Sequence, residues 1–273
     1  MATAETPSTR PRHQVVLPVH LPLRYRSGMT KDGRPSRVHD VRLFHGGRNQ
    51  YLKNCPGAWA FGRRLAWWLN GLDVSVGSHP AVYIHFTSEI AAGQVEIAPP
   101  NSFREDWWWR DVHVGVPADF LPHDGDPRLS TGIVAALSAL APHERPHIDE
   151  AARIAAEAGD ECQFLIRSKD TAKHVIDVST TIGFPKPSRM IVSLTDKATG
   201  AYLEAPPVAM KGYDDAVSLA GKVKVTNKAV AVASRVSTPA QIITQQYGAD
   251  YRWSVDDFSP AATPTRSGLL KFR

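Results

Sequence analysis

The sequence predicts an α+β chain, an antiparallel or mixed sheet with helices packed on one face. Three observations lead there. Short β-branched and aromatic runs recur with alternating polarity, as strands require. Three segments instead carry helical spacing or alanine-rich runs opened by proline. At 273 residues, 42% hydrophobic and 22% charged, the chain can bury a sizeable core.

Residues 1–12 and 259–273 are rich in Pro, Thr, Ser and Ala and read as a disordered N-terminal tail and a flexible basic tail. Between them, 13–160 form an α+β domain or half, and 161–258 form a second α+β half packed on the first. Residues 13–25 alternate as a strand, with Pro18 and Pro22 confining it to an edge. A second strand follows at 38–44. The clearest helix spans 58–70, where Phe61, Leu65, Trp68, Leu69 and Leu72 share a core-facing side. Strands are expected at 81–87, 94–98 and 107–116, then helices at 127–141 and 146–158, with Asp126 as an N-cap. The second half adds strands at 162–168, 174–182, 189–195, 201–204, 222–226 and 229–234, and a helix at 213–220. The order over 38–168 is that of a ferredoxin-like sandwich.

Charge is segregated. Residues 1–70 hold 12 Lys/Arg against 3 Asp/Glu, 71–160 hold 5 against 14, and 161–273 hold 15 against 10. Basic flanks favour nucleic acid or an acidic partner. Arg24, Arg26, Lys31, Arg34, Arg37, Arg42 and Arg48 could follow a phosphate backbone. On the 58–70 helix, Trp59, Arg63 and Trp67 form a second stripe with Arg64 beside it, a pattern that suits recognition of nucleic acid. The alternative is a helix packed on two sides.

Alternation also gathers a face in the acidic middle. Tyr83 and His85, Glu96, and Trp107, Trp109, Asp111 and His113 each point away from the Val/Ile side of their strands. If those strands are neighbours, one sheet face is aromatic and ionisable, suited to a small ligand or a protein partner, unless helices cover it. Its carboxylates would repel phosphates.

Cys55 and Cys162 are far apart and read as buried thiols of a cytoplasmic protein. No apolar run is long enough to cross a bilayer, so no membrane partner is expected. Neither the spacing of His143 and His147 nor the turn His123-Asp124-Gly125-Asp126 makes a metal site, and no cofactor is indicated. His20, His39 and His45 leave a metal-independent nuclease open.

One fragment, Leu43-Phe44-His45-Gly46-Gly47-Arg48-Asn49, resembles the first-strand histidine motif of polymerase-like ADP-ribosyltransferases. The resemblance implies a histidine, here His45, on the nicotinamide ribose of NAD, and a stacking tyrosine to which Tyr83 corresponds loosely, without the preceding glycine. The leading expectation is a non-enzymatic binding protein contacting nucleic acid within a larger assembly. A protein-interaction module of inhibitor or immunity type, working through the acidic aromatic face, is the alternative; the NAD-dependent transferase is the third.

Overall fold

Helices and strands alternate here in an α+β fold with mixed and antiparallel sheets. The computed structural model describes residues 36–46, 50–77, 79–99, 109–248 and 251–272. The strand expected at 13–25, the N-terminal tail, and Arg24, Arg26, Lys31, Arg34, Arg48 and Trp107 lie outside the described residues.

Strand β1 (Asp40–His45) leads to helix α1 (Pro56–Gly71). Pro56 sits in the first turn, where an N–H would have no helical partner. Strands β2 (Ala81–Thr87), β3 (Val95–Ile97) and β4 (Trp109–Gly115) complete a sheet of order β1-β2-β4-β3. β1 and β4 both run parallel to β2, and β3 is antiparallel to β4. Helices α2 (Pro127–Leu140) and α3 (Arg145–Ala158) join α1 on one face, burying Val41, Leu43, Ile84, Phe86, Val112 and Val114. Each such side chain contributes about 1.5–3 kcal/mol when removed from water. Asp126 caps α2 as expected, accepting from Arg128 N at 2.9 Å.

The topology departs from a ferredoxin-like order. There, a third strand lies between the two strands joined by the first helix. Here β1 and β2 pair directly, and the strand after α3 enters another sheet.

That second sheet is built from β5 (Gln163–Asp170), β6 (His174–Thr181), β7 (Arg189–Asp196) and β8 (Tyr202–Glu204), antiparallel throughout, with β9 (Val208–Ala209) on β7. After helix α4 (Asp215–Leu219), strands β10 (Lys222–Val225) and β11 (Ala229–Ala233) form a hairpin. Helix α5 (Thr238–Tyr247) follows, and β12 (Tyr251–Ser254) joins β11 in a third sheet. The second and third sheets share one core containing Ile176, Val178, Val192, Val230, Val232 and Trp253. α5 escapes sequence detection because Ala240 is its one buried residue, so no apolar stripe marks it. Its signal is local: Ser237 caps it by accepting from Ala240 N.

The C-terminal segment is not a flexible tail. β13 (Ser259–Pro260) pairs with β8, Ser267 N donates to Gln163 O at 2.9 Å, and Leu270 N donates to Leu165 O at 2.8 Å. Arg266 is ion-paired with Asp177 at 2.9 Å, and Lys271 with Asp73 at 3.0 Å. The segment therefore crosses the second sheet from β8 to β5 and ends against α1. Gly71 and Gly268 meet there backbone to backbone; a Cβ on Gly268 would lie 2.3 Å from Gly71 O. Low sequence periodicity reflected an extended path held by backbone bonds, which leaves no apolar repeat.

Among the described residues no helix is long and apolar enough to cross a membrane. Cys55 and Cys162 are both buried and unbridged.

Candidate functional site

Cross-strand register brings the expected aromatic face together. Ala81, Tyr83 and His85 of β2 lie opposite Trp109, Asp111 and His113 of β4, and Glu96 of β3 lies opposite His113. All point away from the helices, because Val82, Ile84, Phe86, Val112 and Val114 occupy the other side. The parallel neighbour β1 adds Asp40, Arg42 and Phe44 in the same rows, an addition that needed the pairing of β1 with β2 to be known.

Asp111 is the centre of the cluster. Its Oδ1 lies 2.8 Å from His85 Nε2, and its Oδ2 accepts from Trp109 Nε1 at 3.3 Å. His85 stacks on Phe44 at 4.8 Å and meets His113 edge-on at 5.3 Å. Tyr83 and Trp109 stack at 5.4 Å and 13°. On the far side of Tyr83, Arg42 lies over the ring at 5.2 Å and donates to Asp40 at 2.7 Å. Burial works against the Arg42 charge, but Asp40 more than restores it, holding the guanidinium above its ordinary range. Burial likewise pushes the Tyr83 hydroxyl up, with Arg42 opposing, so it stays protonated at neutral pH.

The face is graded. Tyr83 (7%) and His85 (6%) are buried, Trp109, Asp111 and His113 are half-buried, and Glu96 is exposed. Toward β3 it thus presents an indole, a fixed carboxylate, an imidazole and a free-standing glutamate. π-faces beside oriented carboxylates suit a cationic group.

The Arg/Trp side of α1 is different from the recognition surface the sequence suggested. Trp67 is 1% exposed; its indole N–H donates to His39 O at 3.0 Å, and Phe164, Tyr213 and Phe272 surround its ring at 5.6, 5.7 and 5.1 Å. Arg64, 6% exposed, donates to Ile182 O and Phe184 O, both at 2.9 Å. Burial holds its guanidinium below the ordinary range. Arg63 is sandwiched between Trp59 and Tyr213, at 4.8 and 4.0 Å, and Trp59 donates to Leu52 O. α1 is covered on one flank by the first sheet and its helices, and on the other Trp67 and Arg64 pack against β5, the segment after β6 and the C-terminal segment. Trp67 and Arg64 are therefore buried at that contact. Arg37 is ion-paired with Asp73.

His45 and Tyr83 do not share a pocket. One residue out of phase with Arg42 and Phe44, His45 turns to the helix side, where it meets Phe120 edge-on at 5.5 Å. Tyr83 faces the opposite side of the sheet. The His123–Asp126 turn serves the helix ends: Asp124 accepts from Gly57 N at 2.8 Å, and Asp126 caps α2. His147 is bonded to Glu144 at 2.8 Å.

Sequence reading missed a groove of about 1070 Å³ between α1, α2 and α3, lined by Phe61, Val95, Val134, Ala135, Ala152 and Phe184. Comparison of the chain with protein families, with curated proteins and with solved structures returns no match.

Proposed function

We propose that this chain is a non-enzymatic binding protein whose first-sheet face receives a cationic segment of a protein partner. The observation that supports this is the register of β2, β3 and β4, which sets Glu96, Asp111 and Trp109 on the side of the sheet away from α1, α2 and α3, with His85 and Trp109 orienting Asp111. A carboxylate held by His85 and Trp109 needs no reordering when it accepts a lysine or arginine, and the indole beside it adds cation–π attraction. Of the arginines once assigned to a phosphate contact, Arg37 and Arg42 are engaged by acids and Arg63 and Arg64 lie within the fold.

Titration calorimetry with a lysine/arginine octapeptide and an aspartate/glutamate octapeptide tests the reading. The basic peptide should bind and the acidic one should not. Glu96→Lys, on an exposed position, should weaken binding at least tenfold, the scale of a lost charge-assisted contact. Trp109→Ala should weaken it as well. Equal affinity for the two peptides, or an unaffected Glu96→Lys variant, would overturn the proposal.

A further inference from the structure

A second charged surface lies on the third sheet. In β10 the apolar Val223 is buried, while Lys222 and Lys224 alternate outward and are exposed. In β12 Trp253 turns inward and Arg252 outward. Register sets these cations in rows: Lys224 opposite Ala231, Ala231 opposite Arg252, and Lys222 opposite Ala233. The middle strand thus contributes alanines to the outer face, so two cationic strands flank a flat, low strip. Side chains two apart on a strand are about 7 Å apart, and strands two apart about 9.5 Å.

None of the three cations forms an ion pair with a described residue. Among the described residues, the acids nearest to Arg252 in sequence, Asp256 and Asp257, follow the far end of β12, where Asp257 accepts from Ser254 N at 2.7 Å; Asp250, just before β12, lies outside the described residues. Beyond β10 the positive surface continues on β5: Lys169 Nζ donates to Val223 O at 3.1 Å, and Arg167 Nε to Ala220 O at 3.5 Å. Burial, and then the charge of Arg167, hold the neighbouring Arg235 guanidinium below its ordinary range, as crowded like charges require.

We infer that the outer face of β10–β12 is a docking surface for the phosphate backbone of a nucleic acid. Three cations held on rigid strands, with small residues between them and no carboxylate among the described residues of the strip, match a linear polyanion. A bilayer surface fits less well, because the strip offers only Ala231 and Ala233 to insert, where peripheral membrane binding needs larger apolar groups. Contacts of this kind read no base sequence.

Fluorescence anisotropy with a labelled mixed-sequence 20-mer single strand, titrated with salt, tests the inference. Three phosphate contacts predict a slope of log affinity against log salt near −2, so affinity should fall about 20-fold between 50 and 200 mM. The double variant Lys222→Glu/Lys224→Glu, on exposed positions and checked by its thermal melt, should remove binding at 50 mM. The milder Lys224→Gln should lower the slope by about 0.7. No binding by the native chain at 50 mM salt, binding unchanged in the double variant, or capture by phosphatidylserine vesicles in preference to the oligonucleotide would each overturn the inference. The basic octapeptide experiment reads a different face, so the two proposals fail separately.

Discussion

Replacing Trp67 by alanine separates a core tryptophan from a recognition tryptophan by a wide margin. A surface substitution away from special features stays within about 0.5 kcal/mol. Trp67 is enclosed by Phe164, Tyr213 and Phe272 and bonded to the His39 carbonyl. Removing a buried tryptophan costs about 3–5 kcal/mol, and leaving a carbonyl without its donor adds roughly 1 kcal/mol or more. The sum, about 4–6 kcal/mol, corresponds to a Tm loss of roughly 10–20 °C for a chain of this size. Trp67→Phe keeps a ring in the aromatic cluster but loses the N–H, so it should cost about 1–2 kcal/mol. Guanidinium unfolding followed by circular dichroism gives both numbers. A Trp67→Ala cost below 1 kcal/mol at unchanged m-value would refute the placement of Trp67 at the junction of the two halves, and with it the account of α1 as an internal helix.

The C-terminal crossing makes a second prediction: Gly268→Ala should cost about 1–3 kcal/mol by overpacking, since its methyl would sit 2.3 Å from Gly71 O, and an unchanged melt would contradict the crossing. Arg266→Ala should cost about 3–5 kcal/mol, because Asp177, 4% exposed, would keep a buried charge without its cation. An exposed tail would show no such cost. Burial pushes the Cys162 thiol up to about 12, against roughly 8.5 in the unfolded chain. A raised acid pKa favours the neutral form, so this contribution to stability is complete below pH 8.5 and declines as pH rises toward 12. Native protein at pH 8 should accordingly show no rapid reaction with a thiol reagent, and two thiols should react in guanidinium. Fast labelling of either cysteine in the native state would argue against its burial.

What the sequence revealed and what it hid follow from the range of the forces involved. β2 was legible to the residue, because alternation within a strand is set by its own backbone. The same alternation placed Tyr83, His85, Glu96, Trp109, Asp111 and His113 on one side, and register then aligned them. Arg42 and Phe44 were assigned no place on that face, since the pairing of β1 with β2 is a long-range choice made by the α1 crossover. Helix α1 was correct as a helix, and of the two readings of its second stripe the helix packed on two sides agrees with the burial of Trp67 and Arg64. Its Trp59/Arg63/Trp67 side has the composition of a recognition stripe, and only the arrival of β5, the segment after β6 and the C-terminal segment turns Trp67 inward. The last fifteen residues lack periodicity for the same reason that they looked mobile: an extended segment held by Gln163, Leu165 and Asn70 needs backbone groups and two close glycines, not an apolar repeat.

Charge segregation acquires a physical meaning once the fold is known. Part of it closes on itself: Arg37 and Lys271, from opposite ends of the chain, converge on Asp73, while Lys186 and Arg189 hold Glu161. Arginine on a buried path is spent on carbonyls, as Arg64 shows at Ile182 and Phe184. Other charges stay outside this internal pairing, and two sets of them lie on sheet faces. Glu96 stands exposed on the first sheet, and Lys222, Lys224 and Arg252 stand exposed on the third. Raising the salt concentration should therefore weaken the two proposed contacts by different laws. Phosphate binding releases condensed counterions and should fall as a power of salt set by the number of contacts. A single cation seated between Trp109 and Asp111 is partly desolvated and should be screened much less. Measuring both contacts at 50 and 200 mM should show the oligonucleotide contact losing about 20-fold and the peptide contact markedly less; equal losses would mean that a diffuse positive or negative field, and not these two built faces, does the binding.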